Sequence, residues 1–144
     1  MQMEIQHSIR TWLANKTGLT TTWIYDGVKL PTVKPFLTIE QMPNAVSQLS
    51  KLRETMLTTY RFQVGLYANS SSERARLQDQ VRTLFLFEDI PLITATTPAE
   101  TVGSFYVQLS AETPIPAEDV SSTTNFHHLY FDIAVEITQN RSDI

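Results

Sequence analysis

The chain has 144 residues, of which 42% are apolar and only 18% charged, with a formal net charge of −4 and no cysteine. That length suffices for one core without staples, burying about 68–70% of the unfolded surface, and the missing cysteines exclude disulfides, thiol catalysis and cysteine-ligated zinc. The acidic balance argues against nucleic acid as the main ligand, because such binding needs Lys and Arg to replace phosphate counterions. No run approaches the ~20 apolar residues of a membrane span, and the first residues lack an apolar signal region, so a soluble protein made in the cytoplasm is expected.

Residues 3–16 read as an amphipathic helix. Ile5, Ile9, Trp12 and Leu13 share one face, and Gly18 stands where a helix would stop. Residues 20–25 are β-branched and aromatic. Asp26-Gly27 is a two-residue turn signal that would return the chain through Val28–Leu30 as a hairpin. Residues 36–41 form a strand after Pro35, with Leu37 and Ile39 on one face. Residues 42–53 read as a long loop with at most a helical turn, because Pro43-Asn44 breaks regular structure and the rest is polar.

The chain resumes as a strand from Met56, with Tyr60, Phe62, Val64 and Leu66 on one face and Arg61, Gln63 and Tyr67 on the other. Ser70-Ser71-Ser72-Glu73 fits a capping box. The helix that follows carries Leu77, Val81, Leu84 and Phe85 as its stripe and ends near Phe87. Residues 92–94 suit a short strand and residues 103–110 another, with Phe105, Val107 and Leu109 alternating. Residues 113–125 hold two prolines and read as a second long loop. Residues 126–138 alternate strictly. Leu129, Phe131, Ile133, Val135 and Ile137 lie on one face; His128, Tyr130, Asp132, Ala134 and Glu136 lie on the other. The expectation is a single α+β domain over residues 1–144. Its mostly antiparallel or mixed sheet is covered on one face by two main helices, in the order α-β-β-β-β-α-β-β.

Chemistry is sparse. His127 and His128 are adjacent in a strand and point to opposite faces, so they cannot share a metal. His128 and Asp132 share a face but stand ~13 Å apart. Histidines on a surface or subunit interface are the plainer reading. His7 lies on the first helix without a second base in reach. Glu88-Asp89, Asp79 and Glu73 do not converge as hard metal ligands would. Four glycines in all leave no phosphate-cradling loop, and a nucleophile elbow is absent. Lys51, Arg53 and Arg61, with Arg74, Arg76 and Arg82, are diluted by Glu54, Glu73 and Asp79. Solvation and subunit salt bridges explain them better than a polyanion patch.

The layout resembles the tail terminator, or tail-to-head joining, proteins of long-tailed phages. The pieces that carry the likeness are the helix with Ile5, Trp12 and Leu13, the strand Pro35-Phe36-Leu37-Thr38-Ile39-Glu40, the strand and capped helix start YRFQVGLYANSSSE, and the terminal strand NFHHLYFDIAVEIT. The resemblance implies a virion protein without catalytic residues, cofactor or metal. It implies a ring, usually a hexamer, made in the host cytoplasm, that caps the finished tail tube and presents a surface to the head connector or a head-completion protein. DNA would pass through its lumen without specific binding, and no membrane is involved. Lys51, Arg53, Glu118, Asp119, His128, Tyr130, Asp132 and Glu136 are the candidate contacts with neighbouring subunits or tail-tube protein. The alternatives are another neck or head-completion component, a small binding or enzymatic α/β domain using the His127/His128 strand, and a module that pairs an edge strand with partners.

Overall fold

The computed structural model describes residues 1–115 and 127–143. Helix α1 (Gln2–Thr17) is followed by β1 (Thr21–Trp23), β2 (Phe36–Gln48), β3 (Thr55–Ala68), helix α2 (Ser71–Phe87), β4 (Ile90–Ile93), β5 (Thr101–Phe105), β6 (Gln108–Pro114) and β7 (His127–Asn140). Five strands form one sheet in the order β1-β2-β3-β7-β6, and β4 pairs with β5 in a small second sheet. Only β1 and β2 run parallel; every other neighbouring pair is antiparallel. This is the α+β architecture expected from the pattern, and no described helix is long and apolar enough to cross a membrane.

Both helices bury the stripes that the periodicity marks. Ile5, Ile9, Trp12 and Leu13 of α1 and Leu77, Val81, Leu84 and Phe85 of α2 join one cluster with Leu37, Ile39, Phe62, Val64, Leu66, Leu129, Phe131 and Ile133. Rings link the layers: Trp12 lies 5.9 Å from Phe85, which meets Phe131 edge-on at 5.8 Å. Burying each of these side chains fully is worth about 1.5–3 kcal/mol before entropy is subtracted. Helix α1 closes on Gly18, whose φ of 71° lets its N–H reach the Ala14 carbonyl at 2.9 Å. Helix α2 opens on Ser70, whose Oγ accepts from the Glu73 N–H at 3.1 Å. The Glu73 carboxylate reaches back to the Asn69 N–H at 2.8 Å, one residue earlier than in a standard capping box.

Four expectations need correction. The Asp26-Gly27 turn forms, with Gly27 at φ 82° and the Val28 N–H bonded to the Tyr25 carbonyl. Residues 28–30 do not return as a strand, however. The partner of β1 is β2, in parallel, with Thr21, Thr22 and Trp23 opposite Leu37, Thr38 and Ile39. Second, residues 42–48 are strand rather than loop. The Pro43-Asn44 step sits in a β-bulge between Met42 and Ala45, where the ladder to β3 shifts by one residue. Proline is tolerated there because β1 has ended and this side of β2 carries no ladder bond.

Third, residues 103–110 are not one strand. Phe105 pairs with Ile90 in the small sheet, whereas Gln108 onward pairs with β7. A bulge at Ser110, whose Oγ donates to the Asp132 carbonyl at 3.1 Å, follows the crossover. Fourth, the second long loop begins later than residue 113, since β6 runs to Pro114. Residues 116–126 of that segment, with Glu118 and Asp119, lie outside the described residues.

The sheet outlasts its helical cover. Tyr60 and Val135 are the last buried core residues along β3 and β7. Beyond them the ladders continue: β3 pairs from Thr59 back to Thr55 with β7 from Glu136 to Asn140, and β2 runs alongside from Ala45 to Gln48. The result is a three-stranded antiparallel tongue that projects past the core.

Candidate functional site

Two zones of the sheet hold the candidate residues. The first is the face of β2, β3 and β7 turned away from the helices. Register places Phe36, Tyr67 and His128 in one row across three strands. Their rings stack, Phe36 on Tyr67 at 4.6 Å and Tyr67 on His128 at 4.8 Å, with planes within 12° and 6° of parallel. Tyr130 meets His128 edge-on at 5.3 Å, and its hydroxyl lies 3.5 Å from that of Tyr67. Such ring pairs add about 0.5–1.5 kcal/mol beyond their buried area. The next row is Thr38, Gly65 and Tyr130. Gly65 is needed there, because a Cβ would collide with Thr38 Oγ1 and come within 3.3 Å of Tyr130. In the third row Gln63 donates to Asp132 at 3.3 Å.

This face is therefore packed rather than open at its His128 end. Only 7% of His128 is exposed. Burial pushes the Tyr67 phenol far above its ordinary value, and the hydrogen bond with Tyr130 pushes it the same way. A buried, stacked histidine between two tyrosines suits a structural role better than proton transfer to a solvent-borne substrate. Among the described residues, no group of three or more His, Cys, Asp or Glu side chains is placed to hold a metal ion.

The second zone is the tongue. Glu136 is exposed on its β7 strand, and Lys51 and Arg53 lie exposed in the turn joining β2 to β3. Arg53 takes a left-handed φ of 56°, rare for a side chain other than Gly or Asn. A cleft of about 370 Å³ opens beside this turn, lined by Arg53, Glu54, Met56, Gln139, Asn140 and Arg141. Arg141 ties the end of β7 to the turn through its N–H, bonded to the Glu54 carbonyl at 2.6 Å.

The candidate residues do not converge. His128, Tyr130 and Asp132 lie near the base of the sheet, whereas Lys51, Arg53 and Glu136 lie on the tongue. Counting along β7 from His128 to Gln139 at ~3.4 Å per residue puts the two ends about 37 Å apart. Residues so far apart do not meet in one reaction centre.

Residues 42–53 hide the most telling feature. Val46 is 66% exposed, Leu49 54% and Leu52 73%, all on or next to the tongue's turn. These branched and aliphatic side chains are held out in solvent on a projecting hairpin. Their signal in the sequence was three apolar residues spaced three apart in an otherwise polar stretch. A further tie, the Glu112 carboxylate held by Arg82 Nε at 2.9 Å and by Gln78 at 3.0 Å, joins β6 to α2 and is part of the frame. No protein-family model matches the chain, and no curated protein matches it in sequence.

Proposed function

We propose that this chain is a virion structural protein of a long-tailed phage that caps the tail tube as a ring and forms the junction between tail and head. It acts by protein–protein contact and not by chemistry. The observation that carries this reading is the tongue: a three-stranded extension of the sheet, beyond the core, with Val46, Leu49 and Leu52 exposed at its end. A rigid ladder holds those side chains out at low entropic cost, as a docking element requires.

Other features support the same reading. A net charge of −4 suits a ring through which DNA slides, since an acidic lumen repels the phosphates. Ser, Thr, Asn and Gln outnumber the charged residues in the sequence, as suits a chain whose surface is covered by neighbours. The partners are further copies of the chain, the tail-tube protein on one side and the head connector or a head-completion protein on the other. The site of action is the neck of the virion. Binding of the purified chain to isolated tail-tube ends tests this. Decoration of tube ends alone is the expected result, and indifference to tubes would exclude it.

A further inference from the structure

The tongue has two open edges on one chain. On its β2 side, β1 stops opposite Ile39, so residues 45–48 have no described strand beside them. On its β7 side, the ladder to β6 ends at Ala134, so Glu136 to Gln139 have no described strand partner there, and Ser104, Phe105 and Tyr106 only line a cleft with Glu136 and Ile137. Folded monomers usually blunt such edges with Lys, Pro or inward charges. Here Ala45-Val46-Ser47-Gln48 carries no charge, and the facing edge carries only Glu136. Pro43 guards only the bulge below.

The backbone groups on both edges point outward in alternation. The Leu49 N–H bonds to the Thr55 carbonyl, so Leu49, Ser47 and Ala45 turn inward to β3, and Val46 and Gln48 turn out. The Ile115 N–H bonds to the His128 carbonyl, so His128 and the even-numbered residues after it turn away from β3. Glu136 and Thr138 therefore present N–H and C=O groups to whatever lies beyond β7. Because β3 is antiparallel to both flanking strands, β2 and β7 run the same way along the tongue. Copies placed side by side by rotation would bring β7 of one against β2 of the next in parallel. In that pairing Glu136 and Thr138 stand opposite Ala45 and Ser47, on the same face of the sheet. Val46 then stands beside Ile137 on the other face. Both edges are satisfied at once, and repetition generates a head-to-tail arrangement, which closes as a ring where the rotation between copies divides a full turn.

We infer that copies of this chain join through the tongue, the Glu136–Gln139 edge of one bonding in parallel to the Ala45–Gln48 edge of the next. The inference rests on the ring reading above for its closure, but its surfaces are independent of what the ring caps. The absence of cysteine makes a clean test possible. Within one chain Ser47 and Thr138 flank Leu57 in the same row. They are two strand spacings apart, ~9.5 Å, beyond the ~7 Å reach of a disulfide. A Ser47→Cys/Thr138→Cys variant can therefore cross-link only between copies, and Ala45→Cys/Thr138→Cys probes a register staggered by two residues.

Under mild oxidation, at least one of the two double variants should give a ladder of multimers beyond the dimer that ends in one closed species. Each single variant should give none. If neither double variant passes the dimer although both are folded, the inference fails. It fails equally if Ser47→Cys or Thr138→Cys alone gives dimers as readily, since each edge would then meet its own kind. A double variant that closes into rings but does not bind tube ends would refute the tail-capping reading alone. Binding to tube ends without the ladder would refute this inference alone.

Discussion

Replacing Gly65 by Ala puts a methyl group into the tightest place on the outer sheet face. The new Cβ would collide with Thr38 Oγ1 and lie 3.1 Å from Tyr67 Cε2 and 3.3 Å from Tyr130 Cε1. Thr38 is only 3% exposed, and Tyr67 is pinned between Phe36 and His128, so neither neighbour has room to swing away. Overpacking of this kind costs about 1–3 kcal/mol. Gly→Ala also restricts the unfolded chain, which stabilises by about 0.4–1 kcal/mol. Taking the middle of each range, the net expectation is a loss of roughly 1.3 kcal/mol, read as a lower urea midpoint at unchanged m-value. At about 3 °C per kcal/mol for a chain of this size, the melting temperature falls by roughly 4 °C. Thr38→Ala removes the colliding oxygen. In the double variant the two costs should fall short of additivity by at least ~1 kcal/mol. A Gly65→Ala protein as stable as the parent, or strictly additive costs, would refute the account of this face.

Three further outcomes are expected. Ser70→Ala removes the cap of α2 and should cost about 1 kcal/mol in urea unfolding, within the usual 0.5–2 kcal/mol. Burial raises the Glu112 carboxyl, but hydrogen bonds from Arg82 and Gln78, with the charge of Arg82, outweigh it and leave the group below its ordinary value of 4.5. The stabilisation it brings is thus complete above that value and lost as pH falls through the depressed one. Glu112→Gln should be less stable than the parent at pH 7, by a margin in urea midpoint that shrinks as pH falls below 4.5. Leu49→Ser/Leu52→Ser should leave circular dichroism and melting unchanged while weakening tube-end binding at least tenfold. Unaltered binding would move the docking surface elsewhere.

Much of the frame was legible in the residues because it is local or strictly periodic. The alternation from Leu129 to Ile137 has one meaning, and the Ser70–Glu73 start with the stripe Leu77, Val81, Leu84 and Phe85 has another. What escaped depends on pairing at a distance. Asp26-Gly27 is a true turn, but nothing near it tells that β1 will pair with residues 37–39 in parallel. Residues 42–48 read as loop because most of them are exposed at the edge of the sheet and need no apolar alternation there. Pro43 marked a bulge at an open edge rather than an end. Phe105, Val107 and Leu109 do alternate, yet the chain changes sheets between the first and the last. The candidate contacts were scattered for the same reason: only the fold reveals that Lys51, Arg53 and Glu136 share a projection that His128 and Asp132 do not.

Electron microscopy of tails assembled with and without this chain tests the central claim most directly. Without it, tubes of uncontrolled length lacking heads are expected, and restoring the chain should return uniform, joined particles with density for a ring at the neck. Tubes that stop at normal length and join heads in its absence would contradict the account.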